Sequence, residues 1–210
     1  LNSIKENTFN RNMDIKDFVE ALDTIEGNMF ISLDAQWGGG KTFYVRQIES
    51  TLDFLTKRMR EDDNLTEVEN LRPYFQNTVL DSINLKQSYL PIYYNAWLYD
   101  NHDDPLMSLI YIIVKKIEHC SNTKISKTIE EKVSTLLSAA SVSLNGFLFS
   151  FGVNGEKIRD AISTEDILIN VKTAEQIRQM VKEILDEVIT ERAQRLVIFL
   201  DELDRCRPSY

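Results

Sequence analysis

The sequence predicts an α/β protein in which a parallel sheet is flanked by helices. Three observations carry that expectation. Short apolar runs of strand length, at Met29–Leu33, Leu90–Leu98 and Leu196–Leu200, are separated by long stretches of helical periodicity. Three adjacent glycines, Gly38, Gly39 and Gly40, lie between the first run and an amphipathic stretch. The last run ends directly in two acids, Asp201 and Glu202.

Each element has its own signal. Ile15, Phe18, Val19, Leu22 and Ile25 give helical spacing over Asp14–Ile25, with Asp14 as N-cap and Gly27 as terminator. Met29–Leu33 is long enough for a buried strand. Thr42–Met59 reads as a helix with Phe43, Val45, Ile48, Leu52 and Leu55 on its apolar face. Arg60–Asn70 is acidic and polar, as a loop or exposed helix end would be. Leu90–Leu98, rich in Tyr and Ile, is the second strand. Pro105 suits the first turn of a helix whose apolar face is Leu106, Leu109, Ile110, Ile113, Val114 and Ile117. Lys124–Leu137 continues helical, and so does Thr164–Arg192, with Glu175, Arg178, Gln179, Lys182 and Glu183 on the wet side. Leu196–Leu200 is the third strand.

Val133–Gly155 contains no charged residue, so a membrane span is one reading of it. Ser, Asn and Gly interrupt the run, whereas a spanning helix needs about 20 predominantly apolar residues. Residues alternate from Ser141 to Leu144, then Asn145-Gly146 is followed by Phe147, Phe149, Phe151 and Val153 at period two. Asn-Gly between alternating runs is a hairpin signal, so a β-hairpin over 141–153 is expected. A buried helix and a membrane contact stay as alternatives.

Composition narrows the function. The chain has 210 residues, 43% hydrophobic and 27% charged, which is ordinary for a globular protein and excludes disorder or collagen. A formal net charge of −9 argues against a general electrostatic grip on nucleic acid. Cys120 and Cys206 form neither a disulfide framework nor a metal-ligand spacing, so a reducing cytoplasm is expected. His102 and His119 have no metal-spaced partner and read as surface residues. Arg205 and Arg207 flank Cys206, as around an activated thiol, but a small packing residue is the plainer reading.

The glycine cluster carries chemistry. Ala35-Gln-Trp-Gly-Gly-Gly-Lys-Thr42 is a phosphate-binding loop with Ala at its first glycine position. Glycines let the backbone wrap closely and aim N–H groups at phosphate oxygens. Lys41 adds a point charge, the Thr42 hydroxyl can ligate Mg²⁺, and the helix N-terminus adds its dipole. The nucleotide-contacting set is therefore Trp37, Gly38, Gly39, Gly40, Lys41, Thr42 and Phe43. Trp37 and Trp97 are expected to pack near the loop; the alternative for Trp37 is stacking on a nucleotide base. Asp201, at the end of a central strand, can hold the Mg²⁺ shell, and Glu202 can polarise an attacking water.

Together these residues resemble the KAP family of P-loop NTPases. The resemblance rests on the phosphate loop 35–42, on Tyr94-Asn-Ala-Trp97 and on Phe199-Leu-Asp-Glu-Leu-Asp-Arg-Cys-Arg-Pro208. It covers Met29–Pro208, the stretches between motifs agreeing only in layout. It implies an ATPase of the additional-strand class, with ATP and Mg²⁺ as cofactors. Lys41 and Thr42 are assigned to phosphate and Mg²⁺, Asp201 to Mg²⁺, and Glu202 to water activation, with Lys41 and Glu202 as the catalytic pair. Asn95 would stand near the site. Some members are associated with membranes, and some bacterial members act in phage exclusion. Ala35 departs from the usual glycine, and the membrane segments of many members are reduced here to one weak candidate.

The chain is expected to be the N-terminal part of such a domain, C-terminally truncated, with 99–192 as a largely helical insertion. The class places a further central strand and its sensor residue after Asp201. The function expected is ATP binding and hydrolysis by a switch or motor-like regulator in a bacterial defence or membrane-linked system. A nucleotide-dependent assembly module with little turnover is the alternative, and a phosphotransferase a more distant one. Expected partners are ATP and a protein partner or second copy, with a membrane surface as a further contact; the location is cytoplasmic or peripheral to a membrane.

Overall fold

The computed structural model describes residues 1–60, 65–100, 105–119 and 193–207, together with 179, 181–183, 185 and 186. The chain divides into two compact units, Leu1–Asn95 with Arg192–Leu203, and Ala96–Glu191 with Asp204–Tyr210.

The first unit holds helices α1 (Asn2–Lys5), α2 (Asn12–Leu22), α3 (Lys41–Arg60) and α4 (Leu65–Phe75), and strands β1 (Tyr89–Asn95) and β2 (Arg195–Asp201). The strands pair in parallel, from Tyr89 opposite Arg195 to Asn95 opposite Asp201. A parallel pair needs a crossover connection, and here the stretch between Asn95 and Arg195 provides it. The expected α/β class with a parallel sheet is thus present.

α3 is the central element, and its sequence explains why. Val45, Ile48, Leu52 and Leu55 recur at three- and four-residue spacing and are buried together with Phe54. Each such side chain, taken fully from water, contributes about 1.5–3 kcal/mol. α3 packs on β1 and also touches α2 and α4. Phe54 stacks on Phe75 at the end of α4, with ring centroids 4.1 Å apart. Lys57 of α3 pairs with Glu67 of α4 at 2.9 Å.

Three hydrogen bonds match polar groups between elements. The Thr56 hydroxyl accepts the Tyr89 backbone N–H at 2.9 Å, fixing the start of β1 on α3. The Tyr89 hydroxyl donates to Asp23 at 2.7 Å, and the other Asp23 oxygen accepts the Lys86 N–H at 2.7 Å. These bonds explain why α2 stops at Leu22, short of the expected Ile25. Asp23 is drawn to Tyr89, and the Thr24 hydroxyl turns back onto the Ala21 carbonyl at 2.7 Å.

Three expectations are corrected. α2 begins at Asn12, so Asp14 lies in its first turn instead of capping it. Met29–Leu33 forms no strand; Met29, Ile31 and Leu33 are exposed and Phe30 is fully so. A strand is held by a neighbour's hydrogen bonds, and among the described residues β1 and β2 pair only with each other. The polar stretch after Arg60 leads into the largely exposed start of α4, in keeping with the expected exposed helix end, and Val68, Leu71 and Tyr74 pack against the core ahead of the buried Phe75. The second strand ends at Asn95, because Ala96 turns into a 3-10 turn over Trp97–Tyr99.

Between α1 and α2 the backbone is unusual. Asn7, Phe9 and Asn10 have φ of 49°, 60° and 54°. Asn tolerates this left-handed region, but for Phe it costs roughly 1–2 kcal/mol. The turn is anchored by Asn12, whose buried side chain donates to the Ile4 carbonyl at 2.8 Å.

The second unit contains the Trp97–Tyr99 turn and α5 (Pro105–His119), which buries Ser108, Ile110 and Ile113. Residues 179, 181–183, 185 and 186 are helical, with Gln179, Lys182 and Glu183 exposed. The 124–137 helix, the uncharged run 133–155 with its 141–153 hairpin, most of 164–192, His102 and Cys120 lie outside the described residues. Among the described residues no helix is long and apolar enough to cross a membrane.

Candidate functional site

The glycine loop runs from a segment without regular structure into the N-terminus of α3. Gly38 and Gly40 both have φ of 78°, a conformation that favours glycine. Gly39 is needed for a different reason: a Cβ there would lie 2.9 Å from the Gln36 carbonyl oxygen, which accepts the Gly39 N–H at 3.0 Å.

The Gly40 carbonyl accepts the Tyr44 N–H at 2.9 Å, the first helical bond of α3. The N–H groups of Lys41, Thr42 and Phe43 therefore precede any partner within the helix. With the helix dipole they make a site for anions. The Lys41 ammonium donates to the Ala35 carbonyl at 2.7 Å, across the mouth of the loop.

Thr42 and Asp201 meet directly. The Thr42 hydroxyl donates to Asp201 Oδ2 at 2.6 Å, a short charge-assisted bond. The Tyr93 hydroxyl donates to the same oxygen at 2.9 Å, and the Glu202 backbone N–H donates to Oδ1 at 2.9 Å. Burial alone would raise the Asp201 carboxyl, but the bonds from Thr42, Tyr93 and Glu202 and the Lys41 charge outweigh it and hold it below its ordinary value. Asp201 is thus a carboxylate across the neutral range. Its oxygens and the Thr42 hydroxyl are the hard donors that Mg²⁺ takes, and the free N–H groups of α3 suit a phosphate chain. The residues present fit a magnesium nucleotide.

Glu202 follows at once, with φ of 61°. A non-glycine residue in this region at a strand end is a strained conformation of the kind kept at working sites. It turns the chain as it leaves the strand.

Tyr93 was not among the residues expected from sequence. Its phenol is pushed up by burial, then by its bond to Asp201 and that carboxylate's charge, so it remains a donor. Arg46, one turn into α3, lies 3.6 Å over the Tyr93 ring and pairs with Glu49 at 2.8 Å. The available signal was alternation: Tyr93 and Asn95 share a face of β1, and parallel pairing places Asn95 opposite Asp201.

Trp37 does not pack as expected; it is 83% exposed. Trp97 is also exposed and belongs to the second unit, where the Arg205 guanidinium lies 5.5 Å from its ring. In that unit Arg207 binds Asp100 through its backbone N–H at 2.9 Å and its Nε at 3.3 Å. The segments after Asn95 and after Leu203 are thereby tied together. Partial burial and the carboxylates of Asp100 and Asp204 push the Cys206 thiol up, the opposite of an activated nucleophile.

The model of the KAP family P-loop domain matches residues 11–210, so the match takes in α2 as well as the motifs. No curated protein and no solved structure matches the chain.

Proposed function

The chain belongs to the KAP family of P-loop NTPases, and we propose that its glycine loop binds Mg²⁺–ATP and that Glu202 directs water onto the γ-phosphate. The observation that carries this is the 2.6 Å bond between Thr42 and Asp201, residues 159 positions apart, at the N-terminus of α3. A loop serving only as a tight turn needs no carboxylate held beside its threonine.

The chain's own groups divide the work. N–H groups at the start of α3 receive phosphate oxygens. Lys41 exchanges the Ala35 carbonyl for a phosphate oxygen. Thr42 and Asp201 would hold the metal, which would supply charge neutralisation to the phosphate chain. Glu202 orients a water and accepts its proton as the water oxygen bonds to the γ-phosphorus, and ADP leaves in line as the bond from that phosphorus to the β-phosphate oxygen breaks. Adenine is the base proposed, on the family resemblance. A role in a bacterial defence or membrane-linked system, with a protein partner or second copy, rests on that resemblance too.

The test is calorimetric titration of Mg²⁺–ATP into wild type and Lys41→Ala, followed by phosphate release from the full-length protein. Wild type should bind and the variant should bind far more weakly with its fold intact. Equal affinities would sink the site. Tight binding with no phosphate release, with or without partner proteins, would favour the assembly module.

A further inference from the structure

We propose that Phe9, backed by Phe43, is the platform on which the base of the bound nucleotide stacks. The inference rests on the triphosphate reading of the glycine loop and extends it to the nucleoside end.

Phe9 is 77% exposed and sits at φ of 60°. Hydrophobic collapse would bury such a ring, and backbone sterics would keep a phenylalanine out of that region. The turn overrides both tendencies. Its frame is built for this: the Asn10 N–H donates to the Asn7 carbonyl at 2.8 Å, and the Asn7 amide donates to the Asn10 side chain at 2.9 Å. The Asn12 N–H donates to Asn7 Oδ1 at 3.0 Å, and Asn12 is itself buried and bonded to Ile4. The ring is held out by a braced turn.

Its location ties it to the phosphate site. Phe9 meets Phe43 edge to face, with centroids 5.5 Å apart and planes at 83°. Phe43 immediately follows Thr42 on the first turn of α3. Arg11, two residues beyond Phe9, donates to the Gly39 carbonyl at 3.0 Å, and its guanidinium lies 5.6 Å from the Tyr44 ring. The turn is therefore fastened to the glycine loop. In a nucleoside triphosphate a single ribose separates the phosphates from the base, so an aromatic surface beside residue 43 is where the base arrives. An edge-to-face partner leaves one phenyl face open for a flat ring.

Stacking contributes sequence-tolerant affinity, because every base has a π-face. The site should therefore bind inorganic tripolyphosphate more weakly than ATP. The experiment is calorimetry with Mg²⁺ on the full chain, using ATP and tripolyphosphate as the two probes, for wild type, Phe9→Ala, Phe9→Trp and Trp37→Ala. Phe9→Ala should weaken ATP roughly 5- to 100-fold while tripolyphosphate binding is unchanged, and Phe9→Trp should restore ATP. Because Phe9 is exposed, its truncation leaves the core intact, which far-ultraviolet dichroism checks. An unchanged ratio of ATP to tripolyphosphate affinity in Phe9→Ala overturns the platform, as does an equal loss for both probes. Loss of the ratio in Trp37→Ala alone would move the platform to Trp37. Failure of wild type to bind tripolyphosphate and ATP would remove the phosphate site itself, and the platform with it.

Discussion

Asp201 gathers donors from three segments: Thr42 at the start of α3, Tyr93 on β1 and its own neighbour Glu202. If Thr42 and Asp201 hold a divalent cation as proposed, the Thr42 oxygen would be needed by the metal, and Tyr93 would remain as the side-chain donor that keeps the carboxylate aligned. Groups in this supporting position typically govern metal affinity by about 10- to 100-fold. Tyr93→Phe, which keeps the ring under Arg46, should therefore bind ATP normally at saturating Mg²⁺ but need about tenfold more Mg²⁺ to do so. Superimposable Mg²⁺ titrations for the two proteins would deny Tyr93 this role. Glu202→Gln tests a different function. The amide keeps shape and cannot take a proton, so nucleotide affinity should persist while hydrolysis falls by about 10²- to 10⁴-fold. Unchanged phosphate release would take Glu202 out of the chemistry.

Among the elements, what was legible in sequence depended on where the deciding contacts lie. α3 announces itself because Val45, Ile48, Leu52 and Leu55 are local and periodic, and the observed helix, Lys41–Arg60, differs from the expected Thr42–Met59 by one residue at each end. The glycine cluster was readable because its conformational demands are local too. Met29–Leu33 misled because strand formation is settled by a neighbour, and apolar composition says nothing of whether one is present. Tyr93 was missed because alternation alone does not reveal its partner, which lies in register on a strand 106 to 108 positions away. Tyr89 shows the same dependence and can be tested. Burial, then the bond to Asp23 and that carboxylate's charge, push its phenol up. A raised folded value means its stabilisation is complete below the unfolded phenol value of about 10 and is lost as pH rises beyond it. Tyr89→Phe should cost about 1–2 kcal/mol at pH 7 and flatten the decline in stability above pH 10. Urea midpoints at the two pH values measure both effects; equal midpoints in wild type and variant at pH 7 would show the bond to be idle.

At the scale of the whole molecule, the two faces of β2 differ, although the β1 residues in register with its open face, Ile92 and Tyr94, are buried. Val197 and Phe199 of β2 pack into the core, whereas Ile198 and Leu200, on the opposite face, are exposed. In the same unit Met29, Phe30, Ile31 and Leu33 are exposed as well. Parallel strands are ordinarily covered on both faces, and open apolar strand surface attracts further chain. The net charge of −9 opposes indiscriminate clustering, so the expected result is limited, concentration-dependent self-association driven through these residues. Phe30 is the informative position because it is fully exposed and supports nothing in the core. Phe30→Asp should shift sedimentation toward the monomer while leaving Tm within the scatter of surface substitutions, about 0.5 kcal/mol in stability. A fall in Tm with unchanged sedimentation would mean that Phe30 is a core side chain in solution. Salt provides an internal check: association through apolar surface should strengthen as screening weakens the repulsion between like-charged copies. Association that weakens with added salt would instead be electrostatic and would remove Phe30 and its neighbours from the interface.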